Sequence, residues 1–272
     1  MAITSPQGQR FDAGRVGTKY VTVGKDATSF MFDDIQKAVD FAQNNSIIEI
    51  EAGTYTLTAA LSITKPLYII GKGDVVITHA LAVDLVDVNV PVTIGAATVN
   101  TFKNITFTHT GAAGGDTINI DNNGGGAVDM TVNIVDCSVA VTGTGYAINV
   151  VQTTTSKDIV LNVCGTPALH TVGVCYWAGA KALSAATFYG LYLNGATNAI
   201  VVPAGNAVAS TLNVFNCLVI GAAVTTGGNV ANITNYGGNV KATAGFKAAL
   251  ALTAAGDFDA LGTESPMGFA AI

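Results

Sequence analysis

Residues 33–71 read DDIQKAVDFAQNNSIIEIEAGTYTLTAALSITKPLYIIG, and this stretch decides the fold. Its first third predicts an amphipathic helix at about residues 33–45, because Asp33 and Gln36 have the spacing of a capping box. The apolar positions that follow fall on one stripe of a helix: Ile35, Ala38, Val39 and Ala42. The chain therefore begins its regular structure with a helix that has one face to bury.

Short β-branched segments follow this helix without a linker. The predicted order is a strand, a turn and two further strands: Ile47–Ile50, Ala52–Tyr55, Leu61–Ile63 and Leu67–Ile70. This order resembles the start of a parallel β-helix of the pectin-lyase-like superfamily, in which a capping helix precedes a strand, a G-T-Y turn and an Ile-x-Lys-Pro-Leu-x-Ile-Ile-Gly strand. The resemblance covers about 40 residues and implies a right-handed parallel β-helix.

A repeat farther along the chain agrees with this fold. Asparagine recurs inside short apolar segments, at positions 104, 133, 162, 213 and 232. The first two steps are 29 residues each (133 − 104 and 162 − 133), and the segment 188–193 fills the longer gap before 213. Repeats of this length are typical of stacked structural units. We expect the stacked amides to form a hydrogen-bonded ladder at the inner or turn edge of the coils.

Two other folds agree less well with the pattern. A βαβ fold requires helices of ten or more residues between strands, and no such segment stands out between residues 100 and 240. An antiparallel sandwich gives no reason for an asparagine at a repeated place inside each strand. The sequence therefore predicts an all-β protein, a single right-handed parallel β-helix with an N-terminal capping helix and an extended N-terminal arm.

The predicted organisation has three parts: an arm at 1–28, the β-helix at 29–245 and a cap or tail at 246–272. The last part begins with an Ala- and Leu-rich segment that predicts a short helix or a tight final turn. Its expected role is to cover the open end of the β-helix, because unpaired strand edges invite association. The alternative is that this tail reaches a neighbouring chain.

Composition excludes several classes of partner. Only 11% of the residues are charged and the net charge is −6, which argues against nucleic acid, because binding phosphates requires a basic face. No apolar run approaches the roughly 18 residues of a membrane helix, and the first residues lack the apolar core of a secretory signal. We therefore expect synthesis in a host cytoplasm and free thiols, with Cys137 and Cys217 buried at matching places of the repeat.

The residues that catalysis requires are missing from most of the chain. Pectate lyases of this fold pair calcium-binding aspartates with a basic residue, usually Arg, and pectinesterases and polygalacturonases use closely placed aspartates. This chain has no Arg after Arg15 and no Asp or Glu from Ile159 to Gly256. Cleavage of a glycosidic bond needs two carboxyl groups across a cleft. The sequence thus predicts no catalytic set, no cofactor and no metal site, and hence a protein that is not an enzyme.

Two alternatives remain at this stage. A carbohydrate-active protein would use the acids of the middle coils: Asp116, Asp121, Asp129 and Asp136. We otherwise interpret the first three, which flank a Gly-rich loop, as solvated turn residues. A glycan-binding module would use aromatic residues, which otherwise serve as core or interface anchors: Tyr176, Trp177, Tyr189 and Tyr192.

The weakly charged second half indicates association with other protein. From 159 to 256 its only charged side chains are Lys181, Lys241 and Lys247, although an isolated soluble chain normally carries mixed surface charge. Coils packed side by side around a three-fold axis would cover this flank, so we expect a homotrimer. The arm offers basic and aromatic residues to a partner: Arg10, Phe11, Arg15, Lys19 and Tyr20.

These features together resemble the small β-helical virion proteins of tailed phages, which include capsid decoration (cement) proteins and head fibres. The resemblance implies a structural protein on the capsid surface that binds the major capsid protein or a similar shell protein. Because it rests on fold and architecture, it is an analogy.

Overall fold

The computed structural model describes the following residues: 3–4, 10–11, 20–26, 28–90, 94, 97–111, 114–121, 129–141, 145–152, 158–165, 168–170, 176–179, 185–190, 192–195, 201–202, 211–215, 217–221, 225–226, 232–235 and 240–241. The predicted cap or tail at 246–272 lies outside this part. No helix among the described residues is long and apolar enough to cross a membrane.

The described part contains one short helix, α1 (Ile35–Phe41), and many short strands. The strands are β1 (Ile3–Thr4), β2 (Arg10–Phe11), β3 (Tyr20–Val23), β4 (Ser46–Thr56), β5 (Leu61–Ile63), β6 (Leu67–His79), β7 (Val86–Val88), β8 (Thr98–Lys103), β9 (Thr106–His109), β10 (Ile118–Asp121), β11 (Met130–Val135), β12 (Ser138–Val141), β13 (Ile148–Gln152), β14 (Ile159–Cys164), β15 (Ala168–His170), β16 (Tyr176–Gly179), β17 (Ala185–Tyr189), β18 (Tyr192–Gly195), β19 (Val201–Val202), β20 (Thr211–Phe215), β21 (Leu218–Gly221), β22 (Thr225–Thr226), β23 (Asn232–Asn235) and β24 (Val240–Lys241).

The strands stack as the coils of a parallel β-helix, which confirms the predicted fold. A seven-stranded sheet runs in the order β22-β19-β16-β13-β10-β7-β5. A fifteen-stranded sheet has two branches that meet at β6, one through β8, β11, β14, β17, β20 and β23 and the other through β9, β12, β15, β18, β21 and β24. Adjacent strands in both large sheets pair in parallel, and each coil adds one strand to the seven-stranded sheet and one to each branch.

Alternating side chains explain why these segments form coils. In β11, Val132 and Ile134 are fully buried, whereas Thr131 and Asn133 are only partly buried on the outer face. The inward side chains of successive coils form one continuous column: Ile48, Ile69, Phe102, Ile134, Val163 and Phe188. Each such burial contributes about 1.5–3 kcal/mol, so stacked columns of this kind stabilise the coils.

The β-helix begins earlier than the sequence indicated. Strand β3 pairs in parallel with β4, with Tyr20 opposite Ile47, and its Val21 and Val23 are fully buried. The Tyr20 hydroxyl donates a hydrogen bond to the Glu49 carboxylate. Because its alternate residues enter the core, β3 is part of the β-helix, although residues 20–23 fall inside the segment predicted as an arm.

The helix is shorter than the predicted 33–45, since it runs from Ile35 to Phe41. Its N-cap is Asp34 and not Asp33, because the Asp34 backbone is extended and its carboxylate accepts a hydrogen bond from the Lys37 amide at 3.1 Å. It packs against β3, β4 and β5 and buries Ile35, Ala38 and Val39, so it covers one end of the coils as a capping helix does.

The predicted turn at Ala52–Tyr55 is part of a strand. Strand β4 runs through it with an irregularity between Glu51 and Gly53, and Gly53 has a φ of 148°. The neighbouring β6 also runs from one branch of the large sheet to the other. A glycine here allows the chain to change direction without losing its pairing to the next coil.

The asparagine repeat forms a hydrogen-bonded ladder, but some of the residues that pair differ from those predicted, and the ladder lies on the outer face of the coils. The Asn162 amide donates to the Asn133 carbonyl oxygen at 2.9 Å, and the Asn133 amide donates to the Thr101 hydroxyl at 3.2 Å. Asn104 does not belong to this ladder, since it occupies a turn with a φ of 55°, and Asp136 has a φ of 51° at the matching turn of the next coil. The equal spacing of asparagines along the sequence did not predict the pairing, because the coils differ in length and equally spaced residues therefore do not all lie side by side.

The two repeat-matched cysteines are buried, as predicted. Cys137 and Cys217 are 3% and 1% exposed, and both are free thiols. Burial raises the pKa of the Cys137 thiol to about 12, so this side chain acts as a small apolar residue in the corner of its coil.

Candidate functional site

The structure describes only part of the predicted arm. Arg10 and Phe11 form β2, which pairs antiparallel with β1. The side chains of these two residues, and Arg15 and Lys19 entirely, lie outside the described part of the chain. Tyr20 belongs to the β-helix. The partner-binding role of the arm remains a prediction.

The four candidate aromatic residues lie on different sheets. Tyr176 and Trp177 belong to β16 in the seven-stranded sheet, whereas Tyr189 and Tyr192 belong to β17 and β18 in separate branches of the large sheet. Tyr189 is 50% exposed, and the side chains of the other three lie outside the description. The backbone therefore does not gather the four residues on one strand or sheet.

The four candidate acids are also divided between two places. Asp116 precedes β10 and Asp121 ends it, on the seven-stranded sheet. Asp129 precedes β11 and Asp136 follows it, at two corners of the next coil. The structure instead brings Asp116 together with two acids of the preceding coil, Asp84 and Asp87.

These three acids, Asp84, Asp87 and Asp116, are called the aspartate cluster below. The Asp84 carboxylate accepts a hydrogen bond from the Asp116 amide at 2.8 Å. The Asp87 carboxylate accepts one from the Asn119 side chain at 3.2 Å. Sequence reasoning missed Asp84 and Asp87, although both flank the apolar pair Leu85-Val86 one coil before Asp116. The cluster is thus made by stacking and not by nearness in sequence.

Asp116 is the most deeply buried member, with 8% of its surface exposed. One carboxylate oxygen accepts a hydrogen bond from the Tyr146 amide at 2.6 Å, and the other accepts one from the Asn149 side chain at 2.5 Å. Its backbone carbonyl accepts from the Leu85 amide at 2.9 Å. Asp116 therefore connects three successive coils, and the expectation of a solvated turn residue was wrong for it because both carboxylate oxygens are used inside the fold.

Burial raises the pKa of two of these carboxyl groups. For Asp116, loss of hydration raises the pKa most, the hydrogen bonds from Tyr146 and Asn149 oppose the rise, and the nearby charge of Asp84 adds to it. For Asp87, burial again raises the pKa and the hydrogen bond from Asn119 opposes it. A raised pKa here has the same cause as in many acid catalysts, which is removal of a carboxylate from water.

Two buried histidines support the loop that carries Asp84. The rings of His79 and His109 meet edge to face, with centroids 4.8 Å apart. The His79 ring nitrogen Nε2 lies 2.9 Å from the Asp84 carbonyl oxygen, and His109 Nε2 lies 3.0 Å from the carbonyl oxygens of Leu81 and Val83. Because carbonyl oxygens only accept, each ring must carry its proton on Nε2. The histidines thus hold the backbone of the loop 81–84 in place. Among the described residues, no group of acids, histidines and cysteines has the arrangement of a metal site.

The acids at the corners of the coils have simpler surroundings. The Asp129 carboxylate accepts a hydrogen bond from the Asp158 amide at 2.9 Å, in an exposed position. Asp136 has the left-handed backbone of a tight turn, which Asp and Asn tolerate better than most residues. Asp129 thus fits the expectation of a solvated turn residue, and Asp136 also occupies a turn.

The aspartate cluster has the composition of a catalytic site but the contacts of a structural link. A general acid must reach the leaving group directly, so its carboxyl group has to be open to the substrate. Little of Asp116 is exposed, and both of its oxygens accept short hydrogen bonds from the following coil. The arrangement therefore holds adjacent coils in register.

Comparisons with known proteins identify no family. No family model matches the chain, and no curated protein matches it. One solved structure with an overall likeness is the pectin methylesterase from Aspergillus niger in a penultimately deglycosylated form, with 14% identity over 96% of each chain and a TM-score of 0.39. Similarity at this level carries no argument about activity, so function has to be argued from the chain's own residues.

Proposed function

We propose that the chain is a non-catalytic structural protein, a β-helix that attaches to a larger protein shell. In its most specific form it is a capsid decoration protein that binds and reinforces a shell of major capsid protein. The observation that carries the non-catalytic part is the burial of Asp116, which is 8% exposed and whose two oxygens accept hydrogen bonds from donors of the next coil. Because so little of the residue is exposed, its carboxylate links coils and is shielded from a substrate.

The attachment part rests on charge and composition. The chain has only two arginines, Arg10 and Arg15, and both lie in the N-terminal segment before the first core strand β3. Residues 159–256 contain no acid. A basic segment at one end and a nearly neutral flank support a homotrimer whose arms bind a shell protein at the capsid surface.

The test uses the full chain and a variant that lacks residues 1–19, which leaves β3 intact. Each protein is mixed with preassembled shells of the major capsid protein from the same source, and the shells are sedimented. We expect the full chain to co-sediment and the truncated chain to lose most of this binding. Light scattering should give a trimer for the full chain. A stable monomer that leaves the shells unbound would contradict the proposal.

A carbohydrate-active protein is the second candidate, and one observation favours it. Asp87 and Asp116 lie in one cluster, and burial raises the pKa of both, which is a property of general acids. The matched test compares the wild type with Asp87→Asn on pectin and polygalacturonate, with Asp129→Asn as the control. Product formation by the wild type that disappears only in folded Asp87→Asn would replace the structural proposal with this one.

A further inference from the structure

Strand β5 is the end strand of the seven-stranded sheet. On the side of β5 that faces β7, the Leu61 amide donates to the Leu85 carbonyl at 2.9 Å, and the Ile63 carbonyl accepts from the Asn89 amide at 3.0 Å. Because alternate residues of a strand direct their backbone groups to opposite sides, the amide and carbonyl of Ser62 face away from the sheet. Such a pair of groups is a ready place for a strand from another chain.

The side chain of Gln36, on α1, occupies this place. Its carbonyl oxygen accepts a hydrogen bond from the Ser62 amide at 2.8 Å, and its amide nitrogen donates to the Ser62 carbonyl at 3.2 Å. Two residues of an added parallel strand would make the same two bonds, one accepting from the Ser62 amide and one donating to its carbonyl. The Gln36 amide also donates to Asp40 at 2.8 Å, so both the helix and the side chain are held against the edge. Gln36, predicted as a member of a capping box, thus closes a sheet edge.

The approach to this edge is open. A cleft of about 400 Å³ lies between the start of α1 and the segment 55–61, and Gln36 and Leu61 are among the residues that line it. Another chain can therefore reach Gln36 from solvent without unfolding a coil. The two hydrogen bonds of Gln36 and the packing of α1 cover the edge of β5 on this side.

We propose that Gln36 is a latch that prevents β5 from pairing with a strand of a second copy of this chain. A second copy is the fitting occupant because the described part of the same sheet ends in β22 opposite β5 and all its strands are parallel, so a copy placed end-on continues the sheet with the same strand spacing. Charge does not oppose this contact, since residues 159–256 carry no acid and only three lysines. End-on contacts of this kind are heterologous and do not close, so they grow into open chains. The inference does not depend on the proposed shell binding.

The test replaces Gln36 by Met in the full chain, which keeps the length and helix propensity of the side chain but removes both hydrogen bonds. Circular dichroism checks the fold, and light scattering after gel filtration measures mass across a concentration series. We expect Gln36→Met to form species of about twice the wild-type mass or more, increasing with concentration. Lys37→Met, on the neighbouring exposed position, is the matched control and should keep the wild-type mass.

A second change identifies the edge. Ser62→Pro removes the amide that an added strand would need, on the side that faces out of the sheet, so Gln36→Met with Ser62→Pro should return to the wild-type mass. Gln36→Glu keeps the acceptor for the Ser62 amide but loses the donor to the Ser62 carbonyl, so we expect weaker assembly than for Gln36→Met. If Gln36→Met does not fold, the mass of Gln36→Glu tests the proposal in its place. A folded Gln36 variant that is merely less stable, with wild-type mass at every concentration, would overturn the proposal, as would assembly that Ser62→Pro leaves unchanged.

Discussion

Asp116 and Asp129 are the same residue type in adjacent coils, yet they have opposite surroundings. Asp116 is 8% exposed and connects three coils, whereas Asp129 is exposed and accepts one backbone hydrogen bond from Asp158. The difference arises from position, because Asp116 faces the stacked loops beside the seven-stranded sheet and Asp129 stands at an outer corner. In a β-helix, the place of a residue in its coil decides whether it stabilises the fold or meets solvent.

The largest expected effect comes from removing the buried carboxylate. Asp116→Ala leaves the Tyr146 amide and the Asn149 side chain without their acceptor, and an unsatisfied buried donor costs about 1–3 kcal/mol. Asp129→Ala should change the free energy of unfolding by only about 0.5 kcal/mol, as is usual at the surface. Urea unfolding of the two variants measures the difference.

Asp116→Asn is the matched control for this prediction. The Asn149 carbonyl oxygen has no hydrogen-bond partner, so a rotated Asn149 amide can accept from the new asparagine. We therefore expect a smaller loss of stability than in Asp116→Ala. Equal losses in Asp116→Ala and Asp129→Ala would remove the contrast between the two sites.

This contrast marks the limit of what sequence reasoning could supply. In 33–71 the apolar stripe predicted a helix and the β-branched segments predicted short strands, because both patterns reflect local burial, and the resemblance carried by this stretch implied parallel coils. The sequence did not reveal the partners of Asp116, because Asp84 and Asn149 lie one coil away on either side and the coils differ in length. For the same reason Asn104 was assigned to the ladder although it occupies a turn.

The second prediction concerns pH. Burial raises the folded-state pKa of Asp87 and Asp116 above the unfolded value of about 3.9, so the folded chain holds these protons more tightly. Their contribution to stability is therefore fully present below the unfolded pKa and is lost as pH rises through the folded-state pKa. Urea midpoints measured from about pH 3.5 to 7 should fall less steeply with rising pH in Asp116→Asn than in the wild type.

A change that removes no titratable group provides the comparison for this measurement. Asn162→Ala should leave the difference in stability between acidic and neutral pH unchanged relative to the wild type. If Asp116→Asn and Asn162→Ala have the same pH profile, the titration does not depend on burial in the aspartate cluster.

The smallest expected effect is on the outer amide ladder. Asn162→Ala removes the hydrogen bond to Asn133, and a neutral hydrogen bond of this kind contributes about 0.5–1.5 kcal/mol. Because both residues are partly exposed, water replaces much of this contribution, and we expect a loss near the low end. A double-mutant cycle with Asn133→Ala measures the coupling, and a coupling as large as the loss in Asp116→Ala would reverse the proposed ranking of the two networks.

The aspartate cluster forms a closed structural link between coils if its hydrogen bonds open only when the coils separate. Hydrogen exchange of the Tyr146 amide in the wild-type protein measures this opening, because this amide donates to Asp116. We expect exchange as slow as that of the core amide of Val132, since both would require the coils to separate. Exchange as fast as that of the exposed loop residue Thr28 would show that water reaches the Asp116 carboxylate freely and that the cluster is not a closed link.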